Sequence, residues 1–324
     1  MPTNNSLVEL GTTGLHVPRI CFGTSALSDM PDTYGYEVDV ERAVQTIQAI
    51  ASSEAPFLDT SRNYGLGRSE ERIGLAFREL GGKPESLIIS TKLDRDMETL
   101  SFDADRARRS LEESFDALGI DSVDILHLHD PEHAASLDEI TRSGGSLDEL
   151  FKMKEEGLTR AVGLAAGSVD VMMPILRERE FDVLITHNRK TLVNNNADEM
   201  IALAKSRGIA VMNAAPYAGG ALAKGSANFS RYVYQMADEQ MMAPIKKVES
   251  ICAKHSIAPG AAALQYSTRN PDIAVTICGV SKPERVAQTL EWASTTISED
   301  AWNELLALTP SSENPEAARI YKAE

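Results

Sequence analysis

The chain has 324 residues, a formal net charge of -16 and a pI of about 4.9. That length suits one large barrel or two ordinary domains, and a hydrophobic content of 43% supplies a substantial core. A chain this acidic repels phosphate backbones at long range, so nucleic acid is not expected as a partner. A dinucleotide stays compatible with the charge, because a helix N-terminus or a local basic patch can bind it.

The three cysteines, Cys21, Cys252 and Cys278, lie far apart in apolar runs, and no Cys-x-x-Cys pair occurs. This pattern predicts buried thiols, no disulfide, no structural zinc and a reducing, cytoplasmic setting. Residues 1–9 contain neither a basic region nor an apolar run, so no signal peptide is expected. No apolar run approaches the roughly 20 residues of a membrane span, so no membrane association is expected.

Short β-rich runs alternate with helical patterns along the chain, after a small hairpin predicted over residues 7–17. The eight predicted strands span residues 19–22, 57–59, 87–91, 123–128, 161–164, 183–186, 209–212 and 273–278. The predicted helices span residues 40–51, 69–80, 103–118, 146–156, 169–179, from 196 onward, 244–255, 258–269, 283–292 and 298–308. The helix at 146 is expected to start with a capping box of Ser146 and Glu149.

This alternation is typical of an α/β protein with a parallel sheet, and the count of eight strands predicts a (β/α)8 TIM barrel. Residues 1–324 are therefore predicted to form a single barrel domain with a short N-terminal β-hairpin. A doubly wound sheet is the second choice, because no Gly-x-Gly-x-x-Gly follows the first strand.

Polar side chains stand at the ends of three successive predicted strands. The second strand ends at Asp59, the third at Lys92 and the fourth at His129, while Tyr64 follows in the loop after Asp59. Each residue alone is compatible with ordinary packing or a solvated surface. In a barrel, however, these strand ends meet at one face, and an acid, a lysine, a histidine and a tyrosine that meet there predict proton transfer.

Tyr64 is the predicted general acid/base of this group. A free tyrosine has a pKa of about 10, and the Lys92 cation is expected to lower it while Asp59 holds Lys92 in place. His129 is expected to orient the substrate oxygen or to join the proton relay. Tyrosine cannot accept a hydride, so a nicotinamide cofactor is implied. His127 shares the strand face of His129, but no third ligand with zinc spacing lies nearby, and no metal site is expected.

The sequence resembles the aldo-keto reductase family over nearly the whole chain, from Leu10 to about Trp292. The matching stretches are Leu58–Gly65, Ile89–Lys92, Asp124–His129, Arg160–Leu164 and Ala215–Leu222. The resemblance implies a (β/α)8 fold, NAD(P)-dependent oxidoreduction and a catalytic tetrad of Asp59, Tyr64, Lys92 and His129. The run Asn188–Leu192 resembles the Gly-Arg-Tyr-Thr-Leu of the branch that oxidises aldoses at C1 (L-fucose, L-galactose and D-threo-aldose), to which pyridoxal dehydrogenases are related.

The cofactor positions implied by the family match less closely. Ala165–Ala166 stands where the family has Ser-Asn for the nicotinamide carboxamide, and His187 stands where it has glutamine. Ala214 replaces the aromatic residue that stacks on nicotinamide, and Tyr217 is a candidate to substitute for it. The implied cofactor-binding residues are Gly23, Thr24, His187, Asn188, Tyr217, Gly219, Gly220, Gly279, Val280, Ser281, Arg285, Gln288 and Thr289.

The choice between NAD and NADP depends on the loop after the eighth strand. NADP-specific members of the family carry Lys-Ser where this chain has Gly279–Val280, and the loss of that lysine favours NAD. Arg285 is kept at the position of the family's arginine, with Lys282 nearby, so NADP stays open. An ordinary solvated helix face is the alternative interpretation of Arg285 and Gln288.

The preferred reaction is oxidation of an aldose at C1 to the lactone. The alternatives are NADPH-dependent reduction of an aldehyde or ketone, and a non-catalytic nucleotide-binding barrel that acts as a channel or regulatory subunit. The partner is a small sugar or carbonyl compound whose identity the sequence does not reveal. Residues 221–242, with Phe229, Tyr232 and Tyr234, are expected to border its pocket or to form an oligomer contact, and a homo-oligomer is left open.

Overall fold

Eight parallel strands close into a barrel that is surrounded by helices. The structure is a computed structural model that describes residues 7–317 and residue 319. Two predictions extend to residues outside the described ones, which are residues 1–6, 318 and 320–324. The stretch predicted to lack a signal peptide includes residues 1–6, and the predicted single domain includes all of them. The single-domain organisation stays a prediction.

The strands and helices follow the predicted alternation closely. The strands are β1 Val8–Glu9, β2 His16–Val17, β3 Ile20–Gly23, β4 Phe57–Asp59, β5 Ile88–Leu93, β6 Val123–His129, β7 Thr159–Ala166, β8 Val183–His187, β9 Ala210–Ala214, β10 Arg231–Tyr232, β11 Gln235–Met236 and β12 Val275–Gly279. The helices are α1 Pro31–Tyr34, α2 Val40–Ala51, α3 Arg68–Glu79, α4 Ala104–Leu118, α5 Leu137–Thr141, α6 Ser146–Glu155, α7 Val169–Glu178, α8 Asp198–Ser206, α9 Ala221–Lys224, α10 Glu239–Lys254, α11 Pro259–Thr268, α12 Glu284–Ser294 and α13 Glu299–Leu306.

The barrel runs in chain order from β3 to β9, and β12 closes it by pairing with both β9 and β3. All of these pairings are parallel, so the predicted (β/α)8 TIM barrel is confirmed. The predicted N-terminal hairpin is confirmed as the antiparallel pair β1–β2, and a second small hairpin joins β10 to β11.

Strand alternation divides the core in two. Leu58 and Leu126 point outward and pack with the helices, whereas Phe57 and Ile125 point into the barrel. The inner cluster also contains Leu10, Leu15 and Val17 of the hairpin region. The hairpin therefore closes the barrel at the amino ends of the strands and leaves the carboxyl ends open.

The starts of α6 and α10 are among those that differ from the prediction. The capping box at Ser146 is wrong: Gly145 is the N-cap, and the buried Ser146 hydroxyl has no hydrogen-bond partner within the described part of the chain. A helix was expected from Pro244, but α10 begins five residues earlier at Glu239, because Asp238 caps it by accepting a 2.8 Å hydrogen bond from the Met241 amide. The proline is accommodated inside the helix.

His127 fills the barrel interior below the strand ends. It is fully buried, and neither ring nitrogen has a hydrogen-bond partner among the described residues. Burial, with the Lys92 charge adding to it, holds the pKa of His127 well below its ordinary value, so the ring is neutral. Its neighbour in register on β7 is Gly163, where a Cβ atom would lie 2.2 Å from His127 Nδ1. The ring therefore occupies the space that this glycine leaves.

Residues 311–317 and Arg319 are held against the loop that follows β8. Glu316 forms a 2.6 Å ion pair with the buried Arg189, and the Asn314 side chain accepts a 2.7 Å hydrogen bond from the same guanidinium. Arg319 pairs with the other Glu316 oxygen at 2.6 Å. Burial alone raises the pKa of Glu316, but the charges of His187, Arg189 and Arg319 outweigh it and lower the pKa to about 2. This carboxylate fastens the end of the described chain beside the barrel mouth.

We expect Gly163→Ala to destabilise the fold by about 1–3 kcal/mol, the usual cost of overpacking a core. The added methyl group cannot coexist with His127 and the Val183 carbonyl without a shift of the barrel wall. Denaturant unfolding measures the change. Gly279→Ala is the matched control, because a Cβ atom there meets nothing within 4 Å. Equal stability of the two variants would contradict the assigned packing.

We expect Glu316→Gln to lose roughly 3 kcal/mol at neutral pH, from the lowering of the Glu316 pKa and the linkage between protonation and folding. Because the folded pKa is depressed, this stability is present above the ordinary value of 4.5 and disappears as the pH falls toward about 2. The difference in unfolding free energy between wild type and variant should therefore shrink in acid. Glu313→Gln, which neutralises an exposed glutamate nearby, is the control. A difference that is independent of pH would contradict the ion-pair origin.

Candidate active site

Three neighbouring strands carry the predicted polar group into the barrel mouth. Asp59 on β4 lies two residues beyond the inward Phe57, and His129 on β6 lies four beyond the inward Ile125. Lys92 on β5 also points inward, and its Nζ atom lies 2.8 Å from Asp59 Oδ2. Strand alternation and parallel register are thus enough to bring the three side chains together.

The Lys92 ammonium group is buried and has three acceptors for its three protons. They are Asp59 Oδ2 at 2.8 Å, the Thr60 carbonyl at 2.6 Å and Tyr64 Oη at 3.2 Å. Ser90 donates to the other Asp59 oxygen at 3.0 Å. Because the Tyr64 oxygen accepts from Lys92, its own O–H is left to point at a substrate.

The loop that carries Tyr64 depends on two glycines. Gly65 and Gly67 both have left-handed backbone conformations. A Cβ atom on Gly65 would lie 2.6 Å from Ser28, and one on Gly67 would lie 2.0 Å from the Arg62 guanidinium. Only glycine fits these turns, so the loop folds tightly over β4 and holds the tyrosine ring near His129, with ring centroids 5.9 Å apart.

The predicted lowering of the Tyr64 pKa by Lys92 is wrong for this geometry. Burial raises the pKa of Tyr64 well above its ordinary value, and the negative charges of Asp59 and Asp130 add to the effect. The Asp59 carboxylate lies 2.8 Å from the Lys92 ammonium group and offsets the effect of its charge on Tyr64. The resting tyrosine is therefore neutral.

Sequence reasoning missed a carboxylate behind His129. Asp94 Oδ1 lies 2.6 Å from His129 Nδ1, and Ser61 donates to Asp94 Oδ2 at 2.6 Å. Asp94 and Ser61 are both buried. The alternation of β5 carries the signal that would have found Asp94, because it lies two residues beyond the inward-pointing Lys92.

A cavity of about 650 Å³ opens above these residues at the carboxyl ends of the strands. The four tetrad residues all line it. So do the following predicted cofactor residues: Gly23, His187, Tyr217, Gly219, Gly220, Gly279, Ser281, Arg285 and Thr289. Four other predicted contacts, namely Thr24, Asn188, Val280 and Gln288, are not part of the lining, and their roles stay predictions. Thr24, for example, is buried and donates from its hydroxyl to the Asp59 carbonyl at 3.0 Å.

The end of the cavity near Gly279 is cationic, although the whole chain is acidic. Arg42, Lys224, Lys282 and Arg285 line it. Lys224, which the sequence did not single out, lies between the rings of Tyr36 and Phe229 at 3.9 and 4.0 Å from their centroids. Burial lowers the pKa of Lys224 to about 8, and the neighbouring Arg285 and Arg231 charges add to the effect. This set of donors fits the phosphate groups of a dinucleotide.

The part of the cavity between the cationic end and the tetrad offers fewer polar groups. Ala165–Ala166 and Ala214 line it with methyl groups, as the sequence predicted. The Asn188 amide lies 3.3 Å and Glu316 Oε2 lies 3.5 Å from His187 Nδ1. Burial lowers the pKa of His187, so the ring is neutral near pH 7. A neutral imidazole has one N–H group, which can donate to the oxygen of a carboxamide.

The segment predicted to border the pocket does so in part. Asn228 and Tyr234 line the cavity, while Phe229 contacts Lys224.

A second, shallower depression of about 750 Å³ lies around Asp116 and Asp124, toward the amino end of β6, and none of the tetrad lines it. Within the part of the chain that the structure describes, no cluster of three His, Cys, Asp or Glu residues could hold a metal ion. Among the described helices, none combines the length and apolar character that a membrane crossing requires.

Comparisons with known proteins agree with this geometry. L-galactose dehydrogenase of Arabidopsis thaliana is 30% identical over 94% of this chain and 95% of its own length. Pyridoxal 4-dehydrogenase of Microbacterium luteolum and D-threo-aldose 1-dehydrogenase of a Pseudomonas species are each 26% identical, over 91% and 90% of this chain and 95% and 94% of their own lengths.

Solved structures and the family profile lead to the same result. A holo aldo-keto reductase from Bacillus halodurans superposes with a TM-score of 0.77 at 19% identity, covering 97% of this chain and 99% of its own, which shows the shared fold. The profile of the Aldo/keto reductase family matches residues 19–309. The chain therefore belongs to the aldo/keto reductase family of oxidoreductases.

Proposed function

We propose that this protein is a cytoplasmic NAD(P)-dependent dehydrogenase that oxidises an aldose at C1 to the lactone, with NAD as the favoured cofactor. The observation that carries the proposal is the cluster of Asp59, Tyr64, Lys92 and His129 at one end of a 650 Å³ cavity whose other end is cationic. The similarity to two aldose dehydrogenases and a pyridoxal dehydrogenase supports an alcohol-oxidising role.

Each residue of the tetrad has a separate role in the proposed reaction. Lys224 and Arg285 at the cationic end would hold the phosphates of a nicotinamide cofactor, which would supply the hydride acceptor. Tyr64, which is neutral at rest and must first ionise to the phenolate, takes the proton of the C1 hydroxyl as the hydride leaves C1. Lys92 stabilises that phenolate through its hydrogen bond, and Asp59 keeps the lysine in place. His129, which also lines the cavity, would donate a hydrogen bond to the same substrate oxygen.

The cavity walls near the tetrad suit a polyhydroxy substrate. Tyr34 and Tyr234 lie edge to face with centroids 5.7 Å apart, and both line the cavity with Asp130. Aromatic faces pack on the C–H faces of a sugar, and a carboxylate accepts hydrogen bonds from its hydroxyl groups. This combination supports a sugar over a purely apolar carbonyl compound.

Reduction of an aldehyde or ketone with NADPH is the second candidate, and the protonation state of Tyr64 favours it. Burial keeps Tyr64 neutral, and a neutral tyrosine donates its proton to a carbonyl oxygen without prior ionisation. A non-catalytic binding barrel is disfavoured because the tetrad is intact and hydrogen-bonded.

Absorbance at the reduced-nicotinamide band separates these candidates. NAD and NADP are each tested against a panel of aldoses, and NADPH against simple aldehydes. Formation of NADH with L-galactose, L-fucose or a D-threo-aldose supports the proposal. NADPH consumption with aldehydes and no sugar oxidation supports the reductase, and cofactor binding without turnover on either panel supports the non-catalytic barrel.

We expect Tyr64→Phe to keep cofactor affinity and to lose turnover by roughly 10²–10⁴-fold, the usual contribution of a positioned acid/base. The ring and its packing against His129 are retained, and only the proton-transferring oxygen is removed. Initial rates and a cofactor titration measure the two effects. Tyr266→Phe, which alters a tyrosine outside the cavity lining, is the control. Unchanged turnover in Tyr64→Phe would refute the role of Tyr64 as the general acid/base.

We expect Gly279→Lys to raise the ratio of kcat/KM for NADP over NAD by about 10-fold or more, the effect of one charge-assisted contact to the 2'-phosphate. Gly279 is exposed, and a side chain there meets open space. Gly279→Ala, which adds a methyl group without charge, is the control. Equal ratios in the two variants would place the 2'-phosphate away from this loop.

A further inference from the structure

The buried carboxylate of Asp94 lies directly behind His129, on the side away from the cavity. We propose that Asp94 is a positioning residue: it fixes the ring orientation of His129 and, through its charge, keeps that ring an imidazolium whose Nε2–H faces the substrate oxygen. The inference rests on the proposed function for the use of that proton, but the state of the ring can be tested without any substrate.

Both carboxylate oxygens of Asp94 have hydrogen-bond partners. Oδ1 lies 2.6 Å from His129 Nδ1, while Oδ2 accepts from the Ser61 hydroxyl at 2.6 Å and from the Asn63 amide at 2.9 Å. The Ser110 hydroxyl accepts a 2.9 Å hydrogen bond from the Asp94 amide. A carboxylate held this way cannot rotate, and it presents one fixed acceptor to the histidine.

The donors around Asp94 favour its ionised form. Burial alone raises the pKa of Asp94, but the His129 charge and the hydrogen bonds from His129, Ser61 and Asn63 outweigh it and lower the pKa. An ionised carboxylate is an acceptor only. His129 Nδ1 must therefore carry a proton, and Nε2 is the atom left for the cavity.

A second carboxylate completes the environment of the ring. Asp130 Oδ1 lies 3.6 Å from His129 Nε2, so His129 lies between two acids. Burial alone lowers the pKa of His129, but the charges of Asp130 and Asp94 and the hydrogen bond to Asp94 outweigh it and raise the pKa, against the opposing charge of Lys92.

The other titratable neighbours do not reverse this balance. Burial lowers the pKa of His127 and that of His133, so both are neutral near pH 7, and the buried Tyr64 is neutral as well. His129 is then the ring in this group that carries a positive charge. Only the charged ring has protons on both nitrogens.

A proton on Nε2 changes what His129 can do. A neutral ring with its proton on Nδ1 would offer the substrate oxygen a lone pair, which repels it. The imidazolium instead donates a hydrogen bond, which stabilises the negative charge that develops on that oxygen as the hydride moves. Tyr64 transfers the proton, while His129 supports the oxygen charge in either direction of the reaction.

The test is a ¹⁵N NMR titration of the histidine rings in the full-length protein, with His129→Gln used to assign the signal. In wild type we expect a protonated Nδ1 and a pKa above the ordinary value of 6.5. We expect Asp94→Asn to lower that pKa by about 1 unit or more, the usual effect of removing an opposite charge at this distance. Asparagine keeps the size of the side chain and an oxygen acceptor for Nδ1.

Ser61→Ala is the control, because it removes the hydroxyl that donates to Asp94 and lies 3.1 Å from His129 Nδ1 but leaves the Asp94 charge. We expect it to shift the His129 pKa by less than Asp94→Asn does. An equal His129 pKa in wild type and Asp94→Asn overturns the proposal. If Asp94→Asn fails to fold, the wild-type spectrum still decides, because an unprotonated Nδ1 or a pKa below 6.5 also overturns it.

Kinetics then connect the ring to the reaction. With an aldehyde that the enzyme reduces, kcat/KM should fall as the pH rises through the His129 pKa, and Asp94→Asn should move that fall to lower pH. Unchanged turnover in Tyr64→Phe would refute the proposed function, whereas the NMR result judges Asp94 by itself. A pH profile that is identical in wild type and Asp94→Asn would reject the role of Asp94 in the reaction.

Discussion

A buried ammonium group at the barrel mouth is the constraint on which the site depends. Lys92 has almost no contact with solvent, and an unpaired charge in such a place costs several kcal/mol. Asp59 on the next strand, the Thr60 carbonyl and Tyr64 together satisfy its three protons. The need to neutralise one cation therefore fixes the register of two strands, the turn of the loop between them and the position of the tyrosine.

The pKa values of two histidines on the same strand are shifted in opposite directions by their surroundings. His127 and His129 both point into the barrel, one layer apart. The lower ring meets Gly163 and apolar walls, so burial keeps it neutral. The upper ring meets Asp94 and Asp130, and their charges outweigh the same burial. The same residue type therefore fills the core at one position and, two residues later, lies between two carboxylates at the barrel mouth.

The sequence predicts the barrel and its polar mouth because both follow from local alternation. Phe57 and Asp59 share one face of the short strand β4. Eight buried strands that alternate with helices are compatible with few folds other than a barrel. It does not predict the Arg189–Glu316 pair, which joins residues 127 positions apart, or the place of Lys224 between two rings. The direction of the Tyr64 pKa shift differs from the prediction for a related reason: it depends on burial and on the charges of Asp59 and Asp130, which only the folded structure shows.

The charges at the mouth also explain why the four residues leave the direction of the reaction open. Burial keeps Tyr64 protonated, and two carboxylates raise the pKa of His129. Both groups line the cavity, where a proton from either would stabilise an oxygen that is becoming negative. That oxygen is shared by the path from alcohol to carbonyl and by its reverse. Tyr64 must be ionised before the step only on the oxidative path, so oxidation should gain more from rising pH than reduction does. At fixed pH, the concentrations of substrate and product and of oxidised and reduced cofactor set the direction.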